Sequence, residues 1–249
     1  MSKIKNSLLS LNNLRKAFGN SLVFEAVKSD LKLEIIHKFE AKNILILSPH
    51  PDDDVFGCGG TIALAKESGA KITTLYLTNG HNYQRVEEAK KAAFKIGVDD
   101  VFFWKFANGK LEANDETIDM LDDIVRTTKP DIIFTPNFSD PHHDHTETTR
   151  LLAQYLADDE MAKFIDCSVW QYEIWQPVYA NRLVVIDQKI DLKKEAILLH
   201  KSQLKDRHYL EATLGLNQYR AGMYDADTFA EGFFAANKKL FLKQSQIFI

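Results

Sequence analysis

The chain alternates short, nearly continuous apolar runs with longer stretches whose apolar residues recur every three or four positions. Asn43-Ile44-Leu45-Ile46-Leu47 is the first run; a glycine-containing turn follows, then a helical stretch over 61–68 closed by Gly69. Residues 71–77 form a second run, 85–96 an amphipathic helix ending at Gly97, and 101–106 a third strand. The spacing then predicts a helix over 117–128, stopped by Pro130, a fourth strand over 131–135, and a helix from Thr146 to about residue 157. Two further strand-like runs (169–175 and 182–186) and a helical segment over 192–204 complete the pattern. A strand buried on both faces needs an apolar residue at nearly every position, whereas a strand with one wet face alternates. Such strands interleaved with amphipathic helices predict an α/β fold: a mostly parallel sheet with helices on both faces.

Residues 1–40 lack a clear period and read as an N-terminal arm packed on a main domain of residues 41–249. At 249 residues the chain could hold one large domain or two small ones. No repeat or low-complexity linker divides it, so one domain is expected.

Composition narrows the function classes. A net charge of −4 without a dense basic stripe gives no electrostatic footprint for nucleic acid or an anionic membrane. Two distant cysteines, Cys58 and Cys167, exclude a disulfide framework and a cysteine-rich zinc site. The N-terminal residues lack the apolar core and cleavage site of a signal peptide, and no stretch reaches the ~18 apolar residues of a membrane span. A cytoplasmic protein is expected.

The chemistry concentrates in two places. Ser48-Pro49-His50-Pro51-Asp52-Asp53-Asp54 follows the first strand directly. Three consecutive carboxylates repel one another and raise each other's pKa unless a cation is present. A histidine among them favours Zn²⁺, or Fe²⁺ as second choice. The plain alternative, a solvated acidic loop, would begin after a polar or glycine-rich break and not at a strand end between two prolines. Gly57-Cys58-Gly59-Gly60 lacks the third glycine of a dinucleotide fingerprint, so these glycines are read as letting a helix start close to the sheet. The second cluster, Asp140-Pro141-His142-His143-Asp144-His145, follows the fourth strand. In a sheet of order 3-2-1-4-5, the ends of strands one and four meet at the topological switch point, where ligands bind. Together the clusters supply what a catalytic zinc site needs: three protein ligands, here two histidines and one carboxylate, and an open position.

The segment SPHPDDDVFGCGGTIA resembles the PHPDDE signature of the LmbE-like, or PIG-L, family of deacetylases, and PHHDH resembles its HxDH motif. Arg85-Val86-Glu87-Glu88 matches an R-x-x-E element of the family; His200-Lys201-Ser202-Gln203 and Ala230-Glu231-Gly232-Phe233 resemble its C-terminal segments. The resemblance implies a Rossmann-like three-layer sandwich and zinc-dependent removal of acyl groups from N-acylated amino sugars, small molecules or glycosides. It implies His50, Asp53 and His145 as metal ligands, Asp52 as general base, and His142 as the oxyanion-stabilising histidine. It also implies Asp144 as the aspartate that orients His142, and Arg85 as a substrate-binding arginine; held cationic by Asp144, His142 is expected to stabilise the tetrahedral oxyanion. Family members are often oligomeric, which makes a homo-oligomer an expectation. Two positions depart from the pattern: Asp54 replaces the usual Glu, and Thr78-Asn79-Gly80-His81 replaces a more acidic loop.

Three other readings compete with an amino-sugar deacetylase. One is an amidase acting on another N-acyl conjugate. Another is a sugar-binding homologue without catalysis, whose mark would be loss of Asp52 or a ligand. The last is a metal-dependent phosphoesterase, which would favour a second metal and more ligands, some of which Asp54, Asp140 and Asp144 could supply. His143 is expected to face solvent, and His200 is open between a site residue and a structural histidine. Trp104, Trp170, Tyr172 and Trp175 are of the kind that stacks on sugars, although alternation of Trp170 and Tyr172 fits one face of a packed sheet.

Overall fold

The computed structural model describes residues 32–205 and 207–248. Eight strands among the described residues form one sheet. They are β1 (Glu34–Ile36), β2 (Asn43–Ser48), β3 (Lys71–Thr78), β4 (Asp100–Phe106), β5 (Ile132–Pro136), β6 (Ser168–Tyr172), β7 (Arg182–Val185) and β8 (Ala230–Asn237). The sheet order is β1-β7-β8-β6-β5-β2-β3-β4. The expected 3-2-1-4-5 core is present as β4-β3-β2-β5-β6, all parallel.

The described helices are α1 (Asp53–Glu67), α2 (Tyr83–Ile96), α3 (Asp115–Thr128), α4 (His143–Ala157), α5 (Ile190–Ile197), α6 (Tyr209–Gly222) and α7 (Lys238–Phe248). Side chains of a strand point alternately to opposite faces. In β2, Ile44 and Ile46 therefore enter the core under α1, α2 and α5, and Leu45 and Leu47 enter the core under α3, α4 and α7.

The chain departs from the sequence reading at β8, at the starts of α1 and α4, and in the helices α6 and α7, where none was expected. β8 runs antiparallel between β6 and β7, where no strand was expected. Its residues, AEGFFAAN, include no β-branched side chain and carry a buried glutamate, so local preference does not announce a strand. Helix α1 begins at Asp53 instead of residue 61, passing through the glycines with a break at Cys58 (φ −142°, ψ 18°). Glycine is a poor helix former, but packing overrides that preference here. A Cβ on Gly57 would lie 2.3 Å from the Tyr172 ring, and one on Gly60 would lie 2.7 Å from Ile186. The helix sits closer to the sheet than any side chain allows, as the glycines suggested. Glu231 on β8 then accepts hydrogen bonds from the N–H groups of Gly60 and Thr61 and from the Thr61 hydroxyl, and Lys193 Nζ neutralises it at 2.6 Å.

Helix α4 likewise starts at His143, three residues before the expected position, so the second motif straddles a helix N-terminus. Finally, the expected arm falls largely on residues 1–31, outside the described residues. Of the remainder, β1 joins the sheet beside β7, and Phe39 is buried in the core.

Candidate metal centre and active site

β2 and β5 are paired neighbours, with Ile44 opposite Ile132 and Ile46 opposite Phe134, so their carboxyl ends lie side by side. Each strand runs through a short turn into a helix that opens on a motif. Asp52 precedes α1 and Asp53 is its first residue; His142 precedes α4 and His145 lies in its first turn.

Three atoms converge there. His50 Nδ1 is 3.0 Å from Asp53 Oδ2, His145 Nε2 is 3.2 Å from His50 Nδ1, and His145 Nε2 is 3.3 Å from Asp53 Oδ2. A four-coordinate cation with ligand distances of ~2.0–2.1 Å has neighbouring ligand atoms about 3.3 Å apart. The triangle therefore has the dimensions of one face of such a site. His50, His142 and His145 also offer ligand atoms within 4.8 Å of one another.

The outer nitrogens of two of these rings meet carboxylates. His50 Nε2 lies 3.1 Å from Asp144 Oδ2, and His145 Nδ1 lies 3.1 Å from Asp140 Oδ1. Each contact turns the opposite nitrogen toward the centre, the usual arrangement behind metal-binding histidines. Asp144 is fully buried and also accepts from the N–H groups of Gly109 and Leu111, which brings the loop after β4 over the site. Asp140 also accepts from the N–H groups of His142 and Trp175. The sequence reading gave Asp140 only a possible place at a second metal; its position at the head of the second motif was the available signal for a role at the first.

The expected contact between the Asp144 carboxylate and His142 is replaced by the one to His50. His142 instead caps α4: its Nδ1 accepts the N–H of Asp144 at 3.2 Å. With Nδ1 used as an acceptor, hydrogen-bond logic assigns the neutral ring's proton to Nε2. Burial and the neighbouring histidines lower the pKa of His142. The Nδ1 contact and the lowered pKa both favour a neutral ring that donates through Nε2, where the sequence reading took His142 to be held cationic by Asp144.

The electrostatics favour positive charge at the centre. Burial opposes protonation of His50, but Asp53 and Asp144 outweigh it and lift its pKa to about 10. Burial is likewise outweighed at His145 by Asp53 and Asp140, with a pKa of about 9. Burial would raise Asp53, yet the two histidines hold it well below the carboxylate range. Asp52 differs: burial pushes it up to about 6 even though Arg85 and the histidines pull the other way.

Arg85, on α2, reaches Asp52 through Nη2 at 3.1 Å. One turn further on, Glu88 accepts the Ser202 N–H at 3.0 Å and also binds the Ser202 hydroxyl, fastening the segment after α5 to α2. The two charged ends of the R-x-x-E element thus serve the site and its wall. His200 is buried and burial lowers its pKa to about 4, so it is neutral; its Nε2 and Arg85 Nε are buried without hydrogen-bond partners among the described residues.

Other sequence candidates fall outside the centre. Asp54 turns away and accepts the Tyr76 hydroxyl at 2.7 Å. His143 is exposed, with Nε2 2.9 Å from the Leu111 carbonyl oxygen. Trp104, Trp170 and Tyr172 are core residues, whereas Trp175 is 42% exposed. Cys58 is buried filler with its thiol directed at the Asp54 carbonyl. No helix among the described residues is long and apolar enough to cross a membrane.

Residues 45–156 match the family described as PIG-L: GlcNAc-PI de-N-acetylase. A diacetylchitobiose deacetylase of Thermococcus kodakarensis is 27% identical over 209 residues, covering 74% of this chain and 78% of the relative. The crystal structure of the conserved protein TT1542 from Thermus thermophilus superposes with a TM-score of 0.71 at 29% identity, over 77% of this chain and 93% of that one. An N,N'-diacetylchitobiose deacetylase from Pyrococcus horikoshii, complexed with its inhibitor MPG, gives a TM-score of 0.72 at 23% identity, over 81% of this chain and 86% of that one. That last likeness speaks to the fold alone. The family and the enzyme class read from the two motifs, a hydrolase of N-acetyl amides, agree with these relatives.

Proposed function

We propose that this chain, PIG-L/LmbE-like over residues 45–156, is a zinc-dependent N-deacetylase of N-acetylglucosamine-like amino sugars, with Fe²⁺ as the alternative metal. The supporting observation is the triangle of His50 Nδ1, Asp53 Oδ2 and His145 Nε2 with sides of 3.0–3.3 Å. We take Asp53 and not His142 as the third ligand. A metal on Nε2 of neutral His142 would require the proton on Nδ1, where it would oppose the N–H of Asp144.

A bound zinc ion supplies Lewis acidity, acidifying water and polarising an acyl oxygen. Asp52 is adjacent to a ligand without being one, and its pKa of about 6 suits a base working near neutral pH. Asp52 takes the proton of the attacking water as the new C–O bond forms. His142 donates its Nε2–H to the oxyanion. The protonated Asp52 then gives its proton to the leaving nitrogen as the C–N bond breaks, releasing acetate and the free amine.

The phosphoesterase alternative needs carboxylates for a second cation. Asp140 and Asp144 are engaged behind the histidines and Asp54 accepts from Tyr76, so the candidates are already committed. Metal analysis of the purified protein, paired with acetate release from simple N-acetylglucosaminides, tests the proposal. About one zinc per chain and chelator-sensitive acetate release are expected; a protein that takes up no divalent metal would overturn the reading.

A further inference from the structure

Beyond the first turn of α1 lies a cavity of about 360 Å³, walled by Phe56 and Gly57, the segment after β6 and the start of α6. Phe56, Trp175 and Tyr209 frame it, with ring centroids 5.3 Å apart for Phe56 and Tyr209 and 6.1 Å apart for Trp175 and Tyr209. The Arg207 guanidinium lies 4.8 Å from the Trp175 ring and 5.9 Å from that of Tyr209. Among the described residues no carboxylate lies within ion-pair distance of Arg207. The acid on the same wall, Glu173, is already bound by Arg220 and by the Val178 N–H.

A guanidinium stacked on an aromatic face keeps its N–H edge free and oriented, and that planar fork fits a carboxylate or phosphate. The aromatic rings offer faces to the apolar side of a sugar or similar group. Two features tie the cavity to the metal centre. The Trp175 N–H donates to Asp140 Oδ2, on the carboxylate that backs His145. Burial raises the pKa of Tyr209, Arg207 opposes it, and the charges of Asp52 and Asp53 add to the rise.

Building on the deacetylase reading, we propose that this cavity is a subsite for the group attached to the reacting amino sugar. Its selectivity is for an anionic group, carboxylate or phosphate, held by Arg207 beside Trp175 and Tyr209. The site therefore takes acidic conjugates of N-acetylated sugars in preference to neutral ones.

The zinc-loaded enzyme is assayed for acetate release from methyl N-acetylglucosaminide, its carboxymethyl counterpart and N-acetylglucosamine 1-phosphate. The anionic probes are expected to exceed the neutral one in kcat/KM by roughly 10- to 100-fold, mostly through KM, as a charge-assisted contact allows. Arg207→Ala brings the ratio toward one, and Arg207→Lys, which keeps charge but loses the fork, recovers part of it. The better anionic probe identifies the anion. A ratio near one in the parent protein, or a ratio that Arg207→Ala leaves unchanged, overturns the proposal. If no probe releases acetate, the deacetylase reading fails. Calorimetric binding of the same probes to the parent and to Arg207→Ala then decides the subsite separately. Anion binding that depends on Arg207 retains the subsite; its absence removes it.

Discussion

Arg85 and Asp52 form an ion pair, Nη2 to Oδ1, at 3.1 Å, with both side chains nearly buried. The arginine the resemblance gave to the substrate thus rests on the group proposed as general base. Its charge favours the ionised carboxylate, against a burial that already lifts Asp52 to about 6. Arg85→Ala is therefore expected to raise the Asp52 pKa further. The acid limb of the kcat/KM profile should move to higher pH, lowering activity at neutral pH. Unshifted limbs would separate Arg85 from Asp52. Asp52→Ala should cut turnover by ~10²–10⁴ while elemental analysis still finds metal; loss of metal would reassign Asp52 as a ligand.

His142 caps α4 and presents an N–H, so His142→Ala should lower kcat by roughly 10²–10³ with metal content unchanged. If that variant loses its metal, the three-histidine set replaces the set with Asp53.

The metal site should exchange protons for metal. Groups with pKa values of about 10 (His50) and about 9 (His145) are protonated at pH 7.5, and ligation needs neutral imidazoles. Zinc titration of metal-free protein is expected to release about two protons per site, fewer as pH rises. Both pKa values lie above the unfolded ~6.5. The stability they add to the metal-free protein is thus complete below pH ~6.5 and is lost as pH rises through about 9 to about 10. Calorimetry in buffers of different ionisation enthalpy reads the release, and melting curves across that range read the stability. Zinc binding without proton release would count against the charge pattern of the site.

Gly57→Ala places a methyl group 2.3 Å from the Tyr172 ring, which is fully buried with its hydroxyl bonded to the Leu47 carbonyl. Neither side can yield without moving α1 or β6. Overpacking of this kind costs about 1–3 kcal/mol, and the shift would carry Asp52 and Asp53 with the helix. A lower melting temperature together with weaker zinc binding is expected; an unchanged melting temperature would mean that the helix tolerates the displacement.

Much of the fold was legible because the parallel strands are buried on both faces and must be apolar throughout, as in Ile44-Leu45-Ile46-Leu47. Strand β8 was not legible: it is held by its neighbours β6 and β7 and by the bonds Glu231 makes to α1 and Lys193, not by its own residue preferences. The start of α1 was hidden for a related reason, since glycines read locally as a turn and only the nearness of Tyr172 and Ile186 makes them helical contacts.

By itself the sequence determined the strands of the core and the two clusters that the site is built from, since both are carried by local patterns of residue type. The tertiary structure decided how those residues divide the work. Asp144 backs His50, Asp140 backs His145, and His142 turns its Nδ1 to a helix N-terminus. His50 and Asp144 are 94 positions apart in the chain and 3.1 Å apart in space. Hydrogen bonding depends on the second separation, which the packing of α1 and α4 against neighbouring strands sets.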